Sequence, residues 1–257
     1  MNNESTENRT DVAIVTDASS ALGQELCRAL VVHDVRVAGL APAKTSLDDL
    51  AAHLGPDFFP VTADVADQNE VSHAIGRAAA TLGAPTILIN NAGVCLYRDI
   101  LDETPQTFMD TVAINLGGVF NCCHAVLLNM VAQGTGRIVN ISTFAHLAPA
   151  PAEAAYAITK GAARTLTKAM VADLGDRFPG IVINDWIPGE LKTQTRNPNG
   201  IEPATSAQWG VRLALWRDPT LTGRLFDQDT EYLEPLSLKR RLLNQVTGRK
   251  HVALRLS

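Results

Sequence analysis

The chain has 257 residues and a mass of 27.5 kDa, with 46% hydrophobic residues, 19% charged residues and a formal charge of −5. A chain of this length buries roughly three quarters of its unfolded surface without a disulfide or metal staple, and its composition excludes whole-chain disorder, a collagen helix, a disulfide scaffold and a coiled coil. The acidic balance speaks against a nucleic-acid partner.

The first residues, 1–10, form a polar arm without the apolar core of a secretory signal. Short apolar runs and longer amphipathic ones then alternate. Strands are predicted at 12–16, 35–39, 58–61, 86–89, 137–141 and 181–187. Several are almost continuously apolar, as strands covered on both faces must be. Helices are predicted at 21–32, 46–54, 67–82, 105–133 and 152–177. In the 105–133 stretch, Phe108, Val112, Asn115, Val119, Cys123 and Val126 fall on one helical face. Strand–helix alternation predicts an α/β fold: a single doubly wound Rossmann-like domain over 11–238, a parallel sheet with helices on both faces.

No apolar run reaches 18 residues, so no membrane span is expected. Cys27, Cys95, Cys122 and Cys123 lack metal-ligand spacing and read as reduced thiols of a cytoplasmic protein. The segment 196–203, with two prolines, two asparagines and a glycine, reads as a loop placed for a substrate lid. The last stretch, 239–257, holds six basic residues and no acidic one, a basic extension to a body of charge −11.

Two segments point to chemistry. The first predicted strand ends in Thr16-Asp17-Ala18-Ser19-Ser20-Ala21-Leu22-Gly23 and runs into a helix. Such a strand–turn–helix aims backbone N–H groups and the positive helix end at a phosphate. In the second, Tyr156 and Lys160 stand one turn apart on a helix, so phenol and ammonium share a face. A phenol titrates near 10, and lowering it by about three units takes roughly 4 kcal/mol of differential stabilisation, much of which a close desolvated cation supplies. The product is an acid/base able to exchange a proton with an alcohol or ketone near neutral pH.

These motifs, with Asn90-Asn91-Ala92-Gly93, Asn115, the strand end Ile138-Val139-Asn140-Ile141-Ser142-Thr143, and Ile187-Pro188-Gly189 with Thr193 beyond, resemble the short-chain dehydrogenase/reductase family in its compact form. The resemblance covers about 11–226. It implies that Tyr156 gives a proton to a carbonyl or takes one from an alcohol, that Lys160 holds the nicotinamide ribose and lowers the phenol, and that Asn115 holds a water in the proton relay. It also implies cofactor contacts from Thr16, Asp17, Ser19, Ser20, Leu22 and Gly23 in the turn, from Asp64 and Val65 at the adenine, and from Asn91, Ala92 and Gly93 along the adenosine side. Pro188, Gly189, Leu191 and Thr193 would border the nicotinamide.

The sequence departs from the family pattern in three places. Of the family's three turn glycines, two are Asp17 and Ala21 here, and only Gly23 remains. Asp tolerates a left-handed backbone, but a carboxylate about 6 Å from a phosphate charge repels it by roughly 3 kcal/mol at an effective dielectric of about 20. Counting back from Tyr156 puts Thr143 at the catalytic serine position, with Ser142 the alternative if the strand end is distorted. Third, the stretch from Val37 to Lys44 lacks the carboxylate that NAD-selective sites place on the ribose about 20 residues past the glycine turn. Lys44, with Ser19 and Ser20, suits a 2′-phosphate instead, so NADP is expected over NAD.

The expected substrate is a small carbonyl or alcohol, uncharged and fairly hydrophobic, since 144–155 is rich in small apolar residues; Arg98 and Arg196 are the handles for an anionic one. The resemblance implies a homodimer or homotetramer built on the two long helices. An NAD(P)-dependent oxidoreductase, a carbonyl reductase or alcohol dehydrogenase, is the leading reading. The alternative is a non-catalytic relative that binds a nucleotide or partner through a cofactor site weakened by Asp17 and Ala21.

Overall fold

The structure, a computed structural model, describes residues 11–192, 197–233 and 252–256. Eight strands form one sheet: β1 (Val12–Thr16), β2 (Arg36–Ala41), β3 (Phe58–Thr62), β4 (Ile87–Asn90), β5 (Gly136–Ile141), β6 (Ile181–Ile187), β7 (Leu225–Asp227) and β8 (Thr230–Glu231). Their order is β3-β2-β1-β4-β5-β6-β7-β8; all pairings are parallel except β7–β8, which is antiparallel. The helices are α1 (Ala21–Val32), α2 (Asp48–Leu54), α3 (Gln68–Leu82), α4 (Pro105–Val112), α5 (Gly118–Gln133), α6 (Ala154–Leu174) and α7 (Pro203–Leu215). The expected doubly wound α/β domain is present, with α7, β7 and β8 added beyond the six predicted strands.

Alternation along each strand divides the apolar residues between two cores. From β1, Ala13 and Val15 pack with Leu26 and Leu30 of α1 and Val211 and Ala214 of α7. Val12 and Ile14 pack on the other side with Val71 and Ile75 of α3 and Val119, Val126 and Met130 of α5. Both faces of the central strands are therefore dry. Trp186 of β6 is fully buried on the α7 side, and Gly210 makes room for it: a Cβ there would lie 2.6 Å from its ring.

The helix predicted over 105–133 is interrupted. Ala113–Gly117 forms a π-helical turn between α4 and α5. The extra residue per turn swings Asn115 into the interior, where it is fully buried. The run Pro105–Gln133 is long and apolar enough to cross a membrane by length and composition. Its residues Val119, Cys122, Cys123, Val126 and Met130 nonetheless lie in the protein core.

The chain end returns to the sheet. Leu256 is buried in the α1/α7 core, Glu231 N–H donates to Leu254 O, and Leu256 N–H donates to Asp229 O, each at 2.8 Å. Residues 252–256 thus cover the β8 edge rather than extending from the domain. The polar arm 1–10 and the basic stretch 239–251 lie outside the described residues.

Candidate active site

The order of strands reverses between β1 and β4, and the crevice at their C-terminal ends is where a doubly wound sheet takes its ligand. Hydrogen bonds knit the two strand ends together. Thr16 Oγ1 accepts from the N–H groups of Asn91 and Ala92, each at 2.9 Å. Asn91 Nδ2 donates to Thr16 O, Asp17 O and Ser20 Oγ, each at 3.1 Å. Ser20 caps α1, its hydroxyl accepting from Gly23 N–H at 3.1 Å. The cap leaves the first-turn N–H groups of Ala21 and Leu22 directed at the crevice, as an anion requires.

This turn fits a dinucleotide with one reservation. Gly23 is obligatory, because a Cβ would stand 2.2 Å from Asp17 O. Asp17 has φ +49° and so supplies the left-handed backbone of a glycine. Its carboxylate does not cap α1; Ser20 does. Asp17 Oδ1 accepts from Ser19 Oγ at 3.3 Å, and burial pushes the carboxyl up from its usual range against the Ser19 and Ser20 hydrogen bonds. Further round the crevice, Asp64 closes its own turn, accepting from Ala66 N–H at 2.9 Å, while Asp67 caps α3. Val65 is buried against α5, where a Cβ on Gly118 would lie 2.7 Å from it. Lys44 is exposed in the turn after β2.

The catalytic candidates converge on α6. Tyr156 and Lys160 lie on that helix, with Lys160 Nζ 5.9 Å from the centre of the Tyr156 ring. The Thr143 hydroxyl hydrogen-bonds the Tyr156 phenol. Ser142, just past the end of β5, is buried, and its Oγ has no hydrogen-bond partner among the described residues. Asn115 ties the 91–98 segment to the helices: Val94 N–H donates to Oδ1 at 2.8 Å, and Nδ2 donates to Val94 O at 2.9 Å and to Thr159 Oγ1 at 3.1 Å. Gly93 is packed between Asn115 and Lys160; a Cβ would lie 3.3 Å from Lys160 Nζ and 3.5 Å from Asn115 Oδ1.

Burial pushes the Tyr156 phenol up to about 12, with only the Thr143 hydrogen bond opposing it and Cys95, Glu153 and Tyr97 adding to it. The Lys160 ammonium donates to Ile141 O at 2.8 Å. Lys160 is itself buried, and desolvation brings it down to about 8. The phenol is therefore protonated at neutral pH, the form that gives a proton to a carbonyl oxygen.

Past the end of β6, Gly189 has φ +84° and Pro188 O accepts from Ser206 Oγ at 2.7 Å. Leu191 bridges to Ile201, with Lys192 N–H donating to Ile201 O at 2.8 Å, so these two stretches are tied by backbone pairing. Thr193 and Arg196 lie outside the described residues. Two residues of the 94–98 stretch, a segment the resemblance places toward the substrate, enter the site, and one residue outside every segment expected there joins them. Cys95 and Tyr97 line a small cleft against Tyr156, and Asp185 lies behind Lys160. The first two sit in irregular backbone that no periodicity marks. Asp185 did carry a signal, being a carboxylate inside the otherwise apolar run 181–187.

Known proteins place this geometry in a family. The model of the short chain dehydrogenase family matches residues 11–203. The chain is 38% identical over 189 residues to the 2-(R)-hydroxypropyl-CoM dehydrogenase of Xanthobacter autotrophicus, covering 71% of this chain and 75% of that protein. It is 32% identical over 225 residues to the oxidoreductase UcpA of Salmonella typhimurium, covering 83% and 84%. It is also 32% identical over 184 residues to the 3-oxoacyl-acyl-carrier-protein reductase FabG of Staphylococcus aureus, covering 70% and 74%. The fold, the crevice and these relatives lead to one conclusion: the chain belongs to the short-chain dehydrogenase family of nicotinamide-dependent oxidoreductases.

Proposed function

We propose that this protein is a carbonyl reductase or alcohol dehydrogenase that prefers NADP to NAD and uses Tyr156 as its acid/base. The observation that carries the reading is the convergence of Tyr156, Thr143, Lys160 and Asn115 beside Gly93 at the end of the crevice. The bound nicotinamide cofactor supplies or accepts the hydride. Thr143 hydrogen-bonds the substrate oxygen and directs the Tyr156 proton to it. Lys160 holds the ribose hydroxyls, and Asn115 fixes the backbone that carries Gly93. Thr16, Asp17, Ser19, Ser20, Leu22 and Gly23 bind the pyrophosphate side, Asp64 and Val65 the adenine, Asn91 and Ala92 the adenosine wall, and Pro188, Gly189, Leu191 and Thr193 the carboxamide.

The preference for NADP rests on the end of β2, where Ala41 and Pro42 stand in place of a carboxylate and Lys44 is exposed in the turn that follows. The substrate is a small, uncharged, fairly apolar carbonyl, in keeping with Leu96, Tyr97 and Leu147 exposed around the mouth. Homo-oligomer assembly through α5 and α6 accounts for the exposure of Met109, Phe120 and Leu128 along the 105–133 run. The buried free cysteines agree with a cytoplasmic location.

Asp17 in the phosphate turn favours a second reading, a nucleotide- or partner-binding relative without turnover. Titration of the protein with NADPH and NADH, followed by a carbonyl panel, separates the two. Binding with turnover, tighter for NADPH, supports the enzyme; no binding of either nucleotide at millimolar concentration rejects it.

A further inference from the structure

Behind the site runs a buried polar chain that the proposed reaction does not use directly. Asn90 Nδ2 at the end of β4 donates to Asn140 Oδ1 of β5 at 2.8 Å. Asn140 Nδ2 donates to Thr167 Oγ1 of α6 at 2.9 Å, and that hydroxyl donates to Asp185 Oδ1 of β6 at 2.8 Å. Arg164, one turn beyond Lys160, closes the chain with Nη1 at 2.5 Å from Asp185 Oδ2. All five side chains are buried. Two charges so far from water are costly, and an apolar pair is often as stable or more so. Their placement is informative. Asp185 pairs in register with Asn140, and the next residue, Ile141, presents the carbonyl that accepts the Lys160 ammonium at 2.8 Å.

We infer that Asp185 is a positioning residue that acts through Lys160: its carboxylate, fixed by Arg164 and Thr167, keeps the buried Lys160 ammonium charged and seated on Ile141 O, ready for the cofactor. This rests on the oxidoreductase reading for its purpose, though the electrostatic coupling can be measured without it. Desolvation alone drives Lys160 down, and Asp185 is the group that opposes it. The coupling runs both ways, since Lys160 and Arg164 hold down an Asp185 carboxyl that burial raises to about 6. The other titratable groups near this pair are Tyr156 on α6, Cys123 on α5, whose thiol burial and Asp185 both push up, and His146, which packs on Gly161. None of them replaces the Asp185 charge.

The test reads Lys160 directly. The chain has six lysines, so the Cε carbon signal of Lys160 in lysine-labelled full-length protein is assignable with a Lys160→Met control. Its titration is followed without cofactor in the parent, in Asp185→Asn and in Arg164→Met/Asp185→Leu. The double variant removes both charges and keeps the interior filled, so folding does not depend on an unpaired Arg164. The parent midpoint is expected near 8. Asp185→Asn should shift it down by about one unit, a tenfold change in the ionisation constant, as for loss of a near opposite charge, and the double variant, which also loses the Arg164 charge, should shift it by less. The basic limb of kcat/KM for carbonyl reduction should move with it. An unchanged Lys160 midpoint in Asp185→Asn overturns the inference and leaves the oxidoreductase reading intact. A shifted midpoint in a protein that binds neither NADPH nor NADH keeps the coupling and removes the reading.

Discussion

Asn115 grips Val94 by both of its backbone groups, accepting from the N–H at 2.8 Å and donating to the carbonyl at 2.9 Å. The π-helical turn at Ala113–Gly117 brings the amide there, and Thr159 of α6 takes its remaining donor. A side chain that satisfies a loop strand, a helix defect and the active-site helix at once does not tolerate loss. Asn115→Ala should cost about 1–2 kcal/mol, because two partly buried backbone groups lose their partner. Calorimetry of the variant should show the melting midpoint lowered by several degrees, with cofactor affinity reduced because Gly93 is no longer held against Lys160.

The Asp17 carboxyl is raised by burial inside the phosphate turn. A raised carboxyl is neutral below its folded pKa and charged above it, so its repulsion of the pyrophosphate grows as pH rises. Asp17→Gly fits the backbone, since φ is already +49°. The variant should bind NADPH more tightly by up to about a hundredfold at pH 8, from the roughly 3 kcal/mol of repulsion removed, and by less at low pH. Fluorescence titration across pH measures both. Equal affinity at every pH would mean that the carboxylate faces away from the cofactor.

Two ionisations bound the reduction reaction. Tyr156, raised to about 12, stays protonated throughout the working range. Lys160, lowered to about 8, loses its charge as pH passes that value. Carbonyl reduction should therefore be flat through neutral pH and decline above about 8 by weakened cofactor binding, before the phenol titrates. A pH profile whose basic limb appears only near 10 would contradict the Lys160 assignment.

The strand end at Ser142 and Thr143 separates by function. Thr143→Ala removes the hydroxyl that meets the phenol and should lower kcat by about a hundredfold or more. Ser142→Ala removes a buried hydroxyl with no partner among the described residues and should leave the protein equally stable or more stable by about 1 kcal/mol. Steady-state rates and thermal melts of the two variants decide which hydroxyl serves the reaction.

Much of this was legible in the sequence, for physical reasons. The six parallel strands stand out because burial on both faces makes them continuous apolar runs, and Tyr156 and Lys160 stand out because helical spacing puts them on one face. The π turn was not legible: Phe108 to Val126 keeps helical spacing, and only the contacts of Asn115 with Val94 and Thr159 require the extra residue. The short β7 and β8 escaped because three- and two-residue strands carry too little alternation to register. The bond from Lys160 to the Ile141 carbonyl was not legible either, because it is set by the tertiary placement of β5.

The most direct test compares Tyr156→Phe with the parent protein for NADPH binding and for NADPH oxidation on one carbonyl that the parent reduces. The account predicts unchanged nucleotide affinity, because the phenol hydroxyl touches the reacting oxygen and not the pyrophosphate, with turnover reduced by at least about a hundredfold. Undiminished turnover in Tyr156→Phe would contradict it.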